Sequence, residues 1–83
     1  MKITFKLFAT LSDYLPPQKK GNIVDLDISD ETTIAEIVQQ FNLPLQLVHL
    51  VLVNGHYIKP EDRDCHVLKE NDVLAIWPPV AGG

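Results

Sequence analysis

Hydrophobic and polar residues alternate from the start of the chain: Ile3, Phe5 and Leu7 share one side, Lys2, Thr4 and Lys6 the other. A period of two predicts a strand with one buried face over residues 2–9, with Phe8 interrupting its polar side. Leu11 and Leu15 then recur at a four-residue spacing with Tyr14 between them. Residues 9–15 therefore read as a helical turn that Pro16 and Pro17 stop. After an exposed turn over 18–22, alternation resumes, with Val24, Leu26 and Ile28 inward and Asp25 and Asp27 outward. The short connection predicts an antiparallel pair.

The clearest helix comes next. Thr33 and Glu36 have capping-box spacing, in which the hydroxyl accepts from a first-turn N–H and the carboxylate reaches back to the cap. Ile34, Ile37, Val38 and Phe41 fall at i, i+3, i+4 and i+7, one apolar stripe for one core face. Asn42 and Pro44 end it. Residues 47–53 are almost continuously apolar and predict a strand, and Asn54-Gly55 behind them is the strongest short hairpin signal. Tyr57 and Ile58 return as a short strand before the polar loop 59–64, whose Pro60 prevents further pairing. Lys69-Glu70-Asn71-Asp72 is a turn by composition. The last strand, 73–77, is apolar on both sides, so it belongs at the centre of a sheet or under cover on both faces. Strand, strand, helix and further short strands make an α+β sheet of about four to five strands with one main helix across it.

Composition narrows the class. With 83 residues the chain is one domain that buries only about 60% of the surface its unfolded form exposes, so its stability margin is thin. A net charge of −4 argues against nucleic acid as a partner, because phosphate binding needs clustered Lys and Arg. No apolar run is long enough to cross a membrane, and Met1-Lys2-Ile3-Thr4-Phe5-Lys6 does not read as a signal peptide. The single cysteine, Cys65, excludes an internal disulfide and fits a reducing compartment. A soluble cytoplasmic protein is expected.

The candidate chemistry lies in Trp77-Pro78-Pro79-Val80-Ala81-Gly82-Gly83. Pro78 and Pro79 fix φ and lack an N–H, so a strand through Trp77 cannot continue in the sheet. The expected division is a body over 1–77 and a thin flexible tail over 78–83. Two glycines let a terminal carboxylate pass through a channel too narrow for any side chain. Gly and Pro are also common at disordered ends, so the tail alone leaves an ordinary frayed terminus open.

Several stretches together resemble a known family. They are Lys6-Leu7-Phe8-Ala9-Thr10-Leu11, Thr33-Ile34-Ala35-Glu36, Val53-Asn54-Gly55 and Leu68-Lys69-Glu70-Asn71-Asp72-Val73 leading to Ile76-Trp77-Pro78-Pro79-Val80-Ala81-Gly82-Gly83. Across nearly the whole chain they resemble ubiquitin-like sulfur carriers of the MoaD/ThiS type, and the Pro-Pro-Val-Ala-Gly-Gly ending is most similar to the small subunit of molybdopterin synthase. Ser12-Asp13-Tyr14 stands where such subunits often have an Arg-Glu pair, and Val53-Asn54-Gly55 is reminiscent of thiamine-pathway carriers.

The resemblance implies a β-grasp fold with the first and last strands side by side. It implies a protein co-substrate with no catalytic residues of its own and no bound cofactor. A ubiquitin-activating-enzyme-like adenylyltransferase would use ATP to adenylate the carboxylate of Gly83, and a sulfide or persulfide would convert it into a thiocarboxylate. Gly82 would give clearance, while Trp77, Pro78, Pro79, Val80 and Ala81 would dock on partners. Those partners would be the adenylyltransferase and the large subunit of molybdopterin synthase, or another sulfur-accepting enzyme. Thiamine thiazole, tungsten cofactor, amino-acid or tRNA thiolation, and protein modification, are the alternatives.

Other candidates carry less. Cys65-His66, with His49 and His56, matches no closed zinc spacing, and adjacent strand residues point to opposite faces. Leu45, Leu47, Val48, Leu50 and Val51 are expected to serve the core, or, where exposed beside the tail, a docking patch. Phe5, Phe8 and Trp77 are read in the same way. Asp25, Asp27, Glu61, Asp62 and Asp64 read as a solvated surface.

Overall fold

The computed structural model describes residues 1–79; Val80, Ala81, Gly82 and Gly83 lie outside the described residues. Five strands form one mixed sheet: Lys2–Leu7 (β1), Ile23–Asp27 (β2), Leu50–Val53 (β3), His56–Tyr57 (β4) and Val73–Trp77 (β5). Their order is β2-β1-β5-β3-β4, with β1 and β5 parallel and the other pairs antiparallel. The first and last strands thus lie side by side, as expected, and β5 is central. The helix Ile34–Gln40 (α1) crosses one face.

That face is a dry core because every strand aims its alternate residues at it. Ile3, Phe5 and Leu7 of β1, Leu74 and Ile76 of β5, Val51 and Val53 of β3, and Val24 and Leu26 of β2 are all buried. They meet Ile34, Ile37 and Val38 of α1, and Phe5 lies in tilted contact with Phe41 at 5.4 Å between ring centres. Truncating a fully buried Phe such as Phe5 costs about 3–5 kcal/mol, a large share of the stability of so small a domain. The capping box forms as the spacing predicts: Glu36 N–H donates to Thr33 Oγ1 at 3.2 Å, and Thr33 N–H to Glu36 Oε1 at 3.0 Å.

The β3–β4 hairpin turns through Asn54 and Gly55, both at positive φ (52° and 83°), the combination a two-residue type I′ turn requires. Asn54 also fixes the start of β5. Its Oδ1 accepts from Val73 N–H at 2.8 Å and its Nδ2 donates to Asp72 Oδ1 at 2.9 Å. Asp72, 9% exposed, accepts from Lys69 N–H at 2.8 Å through its other oxygen.

Three boundaries differ from the sequence expectation. The first strand ends at Leu7, because Ala9 takes φ 52° and turns the chain into a 3-10 segment, Ala9–Tyr14. The strand expected over 47–53 is only Leu50–Val53, preceded by a 3-10 turn, Leu45–Leu47. Pro44 opens that turn, and the carbonyls of Val48 and His49 accept from the Arg63 side chain. The return strand is His56–Tyr57, one residue earlier than expected. Leu45 leaves the core altogether at 78% exposed, whereas Val51 is fully buried.

Candidate functional site at the end of the last strand

Strand alternation divides β5. Leu74 and Ile76 face the helix, so Val73, Ala75 and Trp77 occupy the other, uncovered face of the sheet. Register places Leu50 beside Trp77, and Leu52 and Lys6 on either side of Ala75. Tyr57 continues the row next to Leu52 and is 54% exposed. The uncovered face is therefore apolar over β5, β3 and β4. On β1 and β2 it changes to Lys2, Thr4, Lys6, Asp25 and Asp27.

Trp77 is held on that face from two sides. Phe8 keeps an extended backbone (φ −110°, ψ 157°) after β1, so its ring stays in the polar-side register and reaches the neighbouring parallel strand. It stacks on the indole with ring centres 4.1 Å apart and planes within 4°. The ring that broke the polar side of the first strand thus has a partner. Phe8 N–H also donates to Ile76 O at 3.2 Å. On the β3 side, His49 N–H donates to Trp77 O at 3.2 Å.

Pro78 and Pro79 follow, half-buried and exposed respectively. Neither has an N–H to offer the ladder. Trp77 is the last strand residue, and the expected tail residues Val80, Ala81, Gly82 and Gly83 lie outside the described residues.

The remaining candidates are scattered. Cys65 is exposed, with Sγ 3.4 Å from Asp62 O, while His49 and His56 lie at opposite ends of β3. Among the described residues no group of three His, Cys, Asp or Glu side chains could hold a metal ion. An acidic hollow of about 570 Å³ beside Asp30 and Glu31 uses Glu36 in the helix cap. A groove of about 880 Å³ runs between α1 and the β3–β4 edge, with Leu43, Leu45 and Val48 along it and Arg63 within it. Arg63 was, from sequence, one more charge in a polar loop; its carbonyl partners carry no side-chain signature that could have pointed to it. No helix among the described residues is long and apolar enough to cross a membrane.

A five-strand mixed sheet with parallel β1 and β5 side by side and one helix across one face is a β-grasp, ubiquitin-like fold. The chain belongs to the ThiS family, which matches residues 6–83, and members of this family are small non-catalytic carrier proteins. It is thus a ThiS-family sulfur carrier or ubiquitin-like modifier. No curated protein matches the chain by sequence. Among solved structures it is similar to SAMP1 from Haloferax volcanii, at 21% identity and TM-score 0.69 over the whole of both chains. It is also similar to the HVO 2177 protein of the same organism, at 22% identity and TM-score 0.77, covering all of this chain and 87% of that one. A third likeness is to a complex of subunits 1 and 2 of molybdopterin-converting factor from Helicobacter pylori, at 26% identity and TM-score 0.58 over the whole of both chains.

Proposed function

We propose that the chain is a sulfur carrier whose C-terminal Gly83 is adenylated and converted to a thiocarboxylate that donates sulfur in molybdopterin biosynthesis. The observation that carries this reading is the end of β5: the sheet stops at Trp77, two prolines follow, and the family match runs on through Gly83. A carboxylate is a poor acyl donor. An adenylyltransferase would join the Gly83 carboxylate to the α-phosphate of ATP, releasing pyrophosphate. Hydrosulfide would then add to the acyl carbon and expel AMP, leaving the thiocarboxylate. Attack of the thiocarboxylate sulfur on the acceptor, followed by hydrolysis of the acyl–sulfur bond by water, would leave sulfur on the acceptor and return the carboxylate. Gly82 and Gly83 supply the clearance this needs.

Docking would use the uncovered face. Trp77, Leu50, Leu52 and Tyr57 form an apolar surface beside the tail root, the composition of an interface core, with the charges of β1 and β2 as its rim. Pro78, Pro79, Val80 and Ala81 would extend that contact into the partner. The likeness to a subunit of a molybdopterin-converting factor complex supports the large subunit of that enzyme as the partner.

Intact mass of the protein isolated from its host, in a strain able to make the cofactor, tests the reading. Replacement of oxygen by sulfur adds about 16 Da, and that increment should vanish in a strain lacking the adenylyltransferase. Gly83 found joined to lysine amines of other proteins, with no such increment, would replace the carrier by a modifier.

A further inference from the structure

Arg63 donates to three backbone carbonyls and to no carboxylate among the described residues: Nε to Ile58 O at 3.2 Å, Nη1 to Val48 O at 3.1 Å and Nη2 to His49 O at 3.0 Å. These acceptors lie just beyond the paired strands, since β4 ends at Tyr57 and β3 begins only at Leu50, with Ile58 N–H donating to Val51 O at 2.9 Å as the last bond between the two segments. The Arg63 carbonyl in turn accepts from Ala35 N–H at 2.9 Å, tying the side chain's own backbone to the first turn of α1. On its inner side His49 donates its N–H to Trp77 O. A continuous run of hydrogen bonds therefore leads from α1 through Arg63 and His49 to the last residue before the prolines.

We propose that Arg63 is a positioning residue for the tail: by holding His49 it fixes where the backbone leaves Trp77, and so where the terminal carboxylate arrives in an activating enzyme. The inference rests on the reading that Gly83 is adenylated. Satisfying the carbonyls alone would not need a guanidinium, since His49 is exposed and water could reach its oxygen. A planar fork that joins three acceptors fixes their mutual geometry, which a lysine ammonium cannot do.

The test compares Arg63→Lys with Asn54→Ala, which loosens the opposite end of the sheet, at a temperature where both remain folded. Adenylate formation is followed by ATP–pyrophosphate exchange with the adenylyltransferase encoded in the same genome. Arg63→Lys should lower kcat about tenfold and leave KM within about twofold, because the docking face is intact and only the reacting end is misplaced. Asn54→Ala should change neither. An unchanged kcat in Arg63→Lys, a rise in KM alone, or an equal loss in Asn54→Ala would overturn the proposal. Two enzyme-free readouts separate it from the function it rests on: faster exchange of the His49 amide and a shifted Trp77 indole resonance in Arg63→Lys and Arg63→Gln. If the wild-type protein is not adenylated at all, the carrier reading fails. If both of these readouts match wild type, the clamp fails.

Discussion

The two ends of β5 are built from different chemistry. At its start, the Asn54 and Asp72 side chains bond each other and accept from the Val73 and Lys69 amides, and Thr4 N–H adds a backbone bond to Asp72 O at 2.9 Å. At its finish, Trp77 is held by a stacked ring and by His49 N–H donating to its carbonyl at 3.2 Å, Ile76 O accepts from Phe8 N–H at 3.2 Å, and one residue removed is the fork of Arg63. Of the two side chains at the start only Asp72 is buried, with Asn54 exposed; the finish is on a half-open face. The lesson is that two tasks are separated along one strand: one end fixes the register of the sheet, and the other holds the corner that precedes Pro78 and Pro79.

The sharpest way to test that separation is to remove the tail's last residue. Deleting Gly83 should abolish adenylation, a loss of several orders of magnitude, since the reacting carboxylate is displaced by a whole residue. The melting midpoint should stay within about 1 °C of wild type, because the buried core lies within the described body. Parallel measurement of pyrophosphate exchange and thermal unfolding decides it; a marked drop in stability would mean that the body depends on its terminus.

Asp72→Ala should do the reverse. It leaves an amide N–H and an Asn side chain without their acceptor at a nearly buried position, for a cost of about 2–3 kcal/mol. For a domain of this size that lowers the melting midpoint by about 8–24 °C. Adenylation measured well below that midpoint should keep its kcat. Urea unfolding with an unchanged m-value would confirm that the loss is in stability, not in the compactness of either state.

Between these lies Phe8→Ala. Loss of the stack on Trp77 removes about 0.5–1.5 kcal/mol beyond the area it buries, and it also strips the corner that partners would meet. Stability should fall by about 1–2 kcal/mol, and partner affinity, followed by titration calorimetry, by about tenfold. A variant that weakens binding without disturbing the fold would place Phe8 mainly in the interface; the opposite result would place it mainly in the body.

How far these two ends were legible in sequence differs for a physical reason. The helix cap and the Asn54-Gly55 turn depend on local spacing that the chain displays, and the apolar residues on both sides of 73–77 allow a central strand or one covered on both faces, of which β5 is the first. The tail-side corner depends on contacts between residues far apart. Arg63 acts on carbonyls 5 to 15 positions away, and any sequence supplies carbonyls. The apolar run 47–53 could not reveal that its first residues would leave the ladder, because hydrophobicity does not say which carbonyls a distant guanidinium will take. Phe8 gave a signal, as an aromatic on a polar side, without naming its partner.

Positive φ offers the finest probe of the same contrast. Asn54 (φ 52°) and Ala9 (φ 52°) sit at opposite ends of the sheet in the same left-handed region. Asn tolerates that region and here uses both ends of its amide. Ala has no such compensation, and its Cβ meets the following carbonyl at a cost of about 1–2 kcal/mol. Glycine would relieve that strain, while its greater freedom in the unfolded chain takes back about 0.5–1 kcal/mol. Ala9→Gly should therefore stabilise the protein by about 0.5 kcal/mol, whereas Asn54→Gly should destabilise it by about 1–2 kcal/mol through its lost side-chain bonds. Chemical denaturation of both variants resolves the opposite signs. Equal signs would show that the strain at Ala9 is not stored in the backbone that turns the chain away behind Phe8.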